Sequence, residues 1–163
     1  MKQISIYQTC EQLLKISLCQ IVEKCYDSEL ITMLVINDEL VVEIDNLLWT
    51  YSQKSFIPHG SQLDQLPKQQ PVYLSSEFIN INHANTLVLL NPSKNHWQTF
   101  TTLFLAKNNN IKDNTLEKLN RIIIVSSDND AVAAYKEQIS KHTDISLNCY
   151  HKSSGDSKWS KSY

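Results

Sequence analysis

The side chains able to do chemistry are numerous in this 163-residue chain but poorly grouped. Five histidines (His59, His83, His96, His142, His151) show neither H-x-x-x-H nor H-E-x-x-H, the spacings that set two imidazoles on one helical face for a metal. Four cysteines (Cys10, Cys19, Cys25, Cys149) include no C-x-x-C pair and read as ordinary free thiols. Ser126-Ser127 lacks the G-x-S-x-G elbow of a serine hydrolase. Asp128-Asn129-Asp130 lacks the ligand spread and distant glutamate of a calcium loop, and helix capping explains it better. Glu43 and Asp45 stand two apart on a helical pattern, so they do not face each other as an acid/base pair. Cys149 and His151 share a face of a predicted strand, without a third group to orient them as nucleophile and base. Glycine occurs only at Gly60 and Gly155, which excludes both phosphate-cradling loops, since those need several glycines. No cofactor and no metal is expected.

The elements that must position these residues follow from composition and period. Apolar residues make up 42% and charged residues 20%, a balance that supports one globular domain rather than disorder. The net charge of −2 argues against a broad direct grip on nucleic acid. No apolar run approaches the roughly 20 residues that span a bilayer, and the first residues lack a signal-peptide pattern. A cytosolic chain is the expectation.

Residues 3–7 (QISIY) alternate like a strand, and Thr9 with Gln12 forms a capping-box pattern ahead of a helix over residues 10–26. Residues 31–36 (ITMLVI) read as a buried strand, and Asn37 or Asp38 as the cap of a helix reaching Trp49. Residues 55–59 (SFIPH) read as a short strand, residues 60–70 as a polar loop, and residues 72–75 and 87–90 as strands. Residues 91–120 resist assignment beyond a loop tip at 108–110 and a short helix over 113–119. Residues 121–125 (RIIIV) are a strong buried strand, followed by a helix through Lys141 and a closing edge strand over 145–150. Strands alternating with helices predict an open, mainly parallel α/β sheet with helices on both faces. The domain is placed at residues 1–151, with residues 152–163 a polar Ser/Lys-rich tail.

The stretch Ile44-Asp45-Asn46-Leu47-Leu48-Trp49-Thr50, followed by Ser55-Phe56-Ile57-Pro58-His59, resembles the chi subunit family of bacterial DNA polymerase III, in which L-D-x-x-L-W precedes S-F-[IV]-P-H. Pro71-Val72, the strand ending at Leu90, and Ala131-Val132-Ala133-Ala134 agree with that pattern in order and spacing. The resemblance covers nearly the whole chain, and residues 91–120 are longer than the family norm. It implies a Rossmann-like fold without a nucleotide site. It also implies a non-catalytic clamp-loader subunit that pairs with the small psi subunit, or with a repair helicase. The same subunit binds the C-terminal tail of single-stranded-DNA-binding protein and so reaches DNA only indirectly.

Two surfaces follow from the resemblance. Trp49, Phe56, Pro58 and His59 are placed on the psi or helicase side, where large rings serve as anchors. The competing reading is that both rings plug the core. The tail, acidic and ending in an aromatic residue with a free carboxylate, needs cations and an apolar slot. Lys136 and Lys141 are assigned as the cations, and Ile139 and Val125 as the slot. Ser140 stands where the family often has a basic residue. The alternatives are an α/β enzyme with dispersed catalytic residues and a direct single-strand binder with a basic aromatic groove.

Overall fold

The computed structural model describes residues 2–54, 56–106 and 115–162. Its strands are β1 (Lys2–Thr9), β2 (Thr32–Val35), β3 (His59–Ser61), β4 (Val72–Ser75), β5 (Thr86–Leu90), β6 (Arg121–Ser126), β7 (Ile145–Lys152) and β8 (Ser160–Ser162). Its α-helices are α1 (Glu11–Asp27), α2 (Val41–Thr50), α3 (Lys94–Phe100) and α4 (Asn129–Ser140). The strands make one sheet in the order β3-β4-β2-β5-β6-β1-β7-β8. Every neighbouring pair is parallel except β7–β8. This is the open, mainly parallel α/β sheet that the alternating pattern predicts, and it agrees with the Rossmann-like fold that the resemblance implies.

Period-two alternation divides the core into two layers. Leu34, Leu74, Val88, Ile123 and Val125 face α1 and α2, meeting Leu14, Leu18, Val22, Ile44 and Leu48. Ile4, Ile6, Leu87, Ile122 and Ile124 face the opposite way, onto Phe100, Phe104, Val132, Tyr135 and Ile139 of the α3–α4 side. A strand covered on both faces has no solvent side, which is why β6 reads as an unbroken Ile run. Each such buried side chain contributes about 1.5–3 kcal/mol.

Several local expectations differ from the structure. Thr9 does not cap α1. It belongs to β1, and its hydroxyl donates to the Lys152 carbonyl at 2.9 Å, so strand pairing with β7 takes the side chain that a capping box would use. Neither Asn37 nor Asp38 caps α2. The chain enters it through a 3-10 turn over Asp38–Leu40, while the Asn37 amide donates to the Asn91 carbonyl at 3.3 Å. In the SFIPH segment Ser55 lies outside the described residues, and Phe56, Ile57 and Pro58 form no strand. Pairing with β4 begins only at His59 and extends through Gly60 and Ser61, two residues expected in a loop.

The central region holds a capped helix. The Ser93 hydroxyl accepts from the His96 N–H at 3.1 Å and starts α3, which runs into a π-helical turn over Thr101–Leu105. The 108–110 loop tip and residues 113 and 114 of the predicted short helix lie outside the described residues, and a 3-10 turn follows at Leu116–Lys118. β7 is not the edge. The segment expected as a polar tail returns as β8 and pairs antiparallel with β7, with Cys149 opposite Ser162.

Candidate functional site

At the β3 end of the sheet the last turn of α2 stands beside the approach to β3, and four predicted residues meet there. The Trp49 and Phe56 rings lie 5.3 Å apart between centroids, and they are 49% and 62% exposed, so they do not plug the core. His59 is the buried member. Its ring sits 4.4 Å from that of Trp49, with Nδ1 2.8 Å from the Ile57 carbonyl and Nε2 3.2 Å from both the Asp45 carbonyl and its carboxylate. Oxygen at each ring nitrogen pins the imidazole, and the pinned imidazole braces Trp49 from beneath. Half-buried Pro58 completes one wall of a cavity of about 470 Å³ shared with Asp64 and Leu66.

Leu63 and Leu66, 73% and 62% exposed, extend the apolar surface. Sequence reading missed them inside a polar loop, although the L-x-x-L spacing was there to see. The loop is held tightly to the strand. The Ser61 N–H donates to Asp64 Oδ2 at 2.5 Å, and a Cβ on Gly60 would stand 2.7 Å from the Gln70 side chain. A continuous ring-bearing surface on a braced support can hold a partner element, since aromatic anchors bury much area at low entropy cost.

The α4 side is assembled differently from the expectation. Val125 is fully buried and faces α1, on the opposite side of the sheet from α4. Ile139 is 1% exposed and packs into the α3–α4 core. Neither lines an open slot, and the two cannot share one. The reason is parity: on β6, Ile122 and Ile124 face α4, so Val125 must face away.

The polar members of the predicted set lie on the outside of α4 but on two flanks, Lys136 toward β7 and Lys141 toward the α3 side. Lys136 is half-buried, Ser140 is exposed with its hydroxyl donating to the Lys136 carbonyl at 2.6 Å, and Lys141 pairs with Glu137 at 3.5 Å. Lys136 lies near Cys149 of β7; burial pushes that thiol up, and the lysine charge partly opposes the shift. Lys141 borders a depression of about 320 Å³ with Leu105 and His142.

Comparison with known sequences agrees with this architecture: the model of the DNA polymerase III chi subunit (HolC) family matches residues 1–140. The chain belongs to the DNA polymerase III chi subunit family. A relative from Rickettsia prowazekii (strain Madrid E), described as a probable DNA polymerase III subunit chi, is 42% identical over 94 residues. That alignment takes in 57% of this chain, and the chain spans 57% of the relative's length.

In this chi-family chain one topological switch point lies where β1 and β6 send their crossovers to opposite faces, a usual ligand crevice of an open α/β sheet. Polar side chains there bond to one another. Gln8 Nε2 donates to Asn129 Oδ1 at 2.6 Å, Ser127 Oγ to Glu11 Oε2 at 2.6 Å, and Asn91 Nδ2 to Ser127 Oγ at 3.1 Å. The strongly displaced titratable groups do not converge on it. Burial pushes Cys19 of α1, Tyr51 just after α2 and Tyr135 of α4 up to about 12, the first two on the α1 face of the sheet and the third on the other. Among the described residues no three His, Cys, Asp or Glu side chains group as metal ligands, and no helix is long and apolar enough to cross a membrane.

Proposed function

We propose that the chain is a non-catalytic replication adaptor. Its Trp49–Phe56 edge holds the psi subunit of the clamp loader or a repair helicase. Its α4 side takes the C-terminal tail of single-stranded-DNA-binding protein, in a cytoplasmic, nucleoid-associated replisome. The observation that carries this reading is the half-exposed ring pair, 5.3 Å apart on a buried histidine brace at one end of the sheet. Family membership supports the replisome setting. On the α4 side Lys136, Ser140 and Lys141 face the tail, and the depression beside Lys141 receives its terminal ring. Ile139 supports that surface from within the core, whereas Val125, on the other face of the sheet, takes no part in it.

Immobilised tail peptide, with and without its terminal carboxylate, tests the α4 assignment. Retention of the intact chain is expected, with loss on removing the carboxylate, on Lys136→Ala and at high salt, because charge carries part of the contact. Retention indifferent to all three changes would remove α4 from the reading.

A further inference from the structure

A second groove lies on the face of the sheet that α1 only partly covers. On β7, Ile145, Leu147 and Cys149 pack toward α4, so Tyr150 and Lys152 point to the α1 face. Beyond α1, Trp159, just ahead of the edge strand β8, reaches over this part of the sheet. Tyr7 of β1 stacks on Tyr150 at 4.8 Å, and Trp159 stands edge-on to Tyr7 at 5.0 Å. Between the Trp159 side and α1 a cavity of about 440 Å³ remains open, within the roughly 300–1,000 Å³ of small-ligand sites.

Its walls combine rings with cations from distant parts of the sequence. Lys24 and Arg121 line it with Tyr7 and Ile123, and Lys152 lines it near Trp159, with Nζ 5.7 Å from that ring. Arg121 is in register with Gln3 and Lys152 with Thr9, six residues apart on β1, so their backbones are separated by about 20 Å along the strands. The cations therefore mark the two ends of an elongated groove. None of the ion pairs among the described residues engages Lys24, Arg121 or Lys152. Two acids also line the groove, Asp27 and Glu23, and the Glu23 carboxylate accepts a hydrogen bond from the Tyr51 hydroxyl.

We propose that this groove binds a short stretch of single-stranded nucleic acid, its bases against Tyr7 and Trp159 and its phosphates on Arg121, Lys24 and Lys152. Repeating anionic groups alternating with flat rings match cations at both ends of an aromatic wall, and the guanidinium fork suits a phosphate. This goes beyond the adaptor reading, in which DNA is reached only through another protein. A net charge of −2 is compatible with it, because the contact is confined to one groove. A free nucleotide shares the chemistry.

Fluorescence anisotropy of labelled oligothymidylate with the full chain, with thymidine monophosphate as competitor, tests the groove. Saturable binding is expected, with a slope of log affinity against log salt of about −2 for three phosphate contacts at ~0.7 each. Arg121→Ala should reduce that slope by about 0.7, and Trp159→Ala should weaken binding by about tenfold. Trp159→Phe should retain most of the affinity, which separates stacking from loss of the β7–β8 pairing. Circular dichroism checks that Arg121→Ala, an exposed position, stays folded. Absence of binding at low salt overturns the proposal, as does binding insensitive to both Arg121→Ala and Trp159→Ala. A monophosphate that competes as well as the unlabelled oligonucleotide would assign the groove to a free nucleotide and overturn the strand reading. So would an acidic peptide bound there when the oligonucleotide is not. Tail retention on the same variants is measured separately, so failure of the adaptor reading leaves this result unaffected.

Discussion

The β3 edge and the α4 side were predicted by the same kind of reasoning, and the structure treats them differently. At the edge, Trp49, Phe56, Pro58 and His59 come from one helix end and the strand approach that follows it, and all four meet around one cavity. On α4, the two lysines and Ser140 lie on the outside, whereas Val125 and Ile139 are core residues on opposite faces of the sheet. A site built within about ten residues keeps its geometry under small errors of assignment. A site that joins a strand to a helix depends on which way each strand residue points, and a one-residue error reverses that.

The largest expected effect separates core from surface. Ile139→Ala should destabilise the chain by about 2–5 kcal/mol in urea or thermal unfolding, because it removes a buried side chain and leaves a cavity. Phe56→Ala, at a 62% exposed ring, should shift stability by no more than about 1 kcal/mol. If Ile139→Ala left the unfolding midpoint unchanged while abolishing tail binding, the contrast between the two regions would fail.

Next in size is binding at the edge. Trp49→Ala should weaken association with psi by about 30-fold or more, the scale of a central aromatic hot spot, when measured by calorimetry. Unchanged affinity would move the partner elsewhere.

The smallest effect concerns alkaline pH and sharpens the view of α4 as a core helix. The Tyr135 hydroxyl donates to the Pro92 carbonyl at 3.3 Å, and burial, with the nearby Asp128 charge second, pushes its pKa from 10.0 up to about 12. Burial likewise takes Cys19 from 9.0 up to about 12. Both groups are neutral when protonated, and their folded values lie above the unfolded ones. The stability they contribute is therefore complete below the unfolded pKa and is lost as pH rises toward 12. Urea midpoints should fall from about pH 9 upward. Tyr135→Phe should cost about 1 kcal/mol at neutral pH and flatten the fall above pH 10. An identical alkaline profile in the variant would remove Tyr135 as its source.

Much of the fold was legible because it rests on local periodicity. The Ile run at 122–124 announced a doubly covered strand, the Leu14, Leu18 and Ile21 stripe announced α1, and Asp128 does cap α4, accepting from the Ala131 N–H at 3.0 Å. The central region was obscure because Thr101, Thr102 and the rings around them favour strands by propensity. Packing of Trp97, Phe100 and Phe104 against the sheet overrides that preference and makes a helix with a π-helical end.

Family, the alternation of strands and helices, and the aromatic edge were determined by the sequence itself, since each is written in residue types at short spacing. Tertiary structure alone decided three things. The facing of each β6 residue removed Val125 from α4. The antiparallel return of residues 160–162 took the sheet edge from β7. The meeting of Lys24, Arg121, Lys152 and Trp159 produced a groove that no stretch of the chain contains. The register of β1 against β6 and β7 is set by hydrogen bonds and side-chain contacts between residues more than a hundred positions apart, and a local pattern carries no record of them.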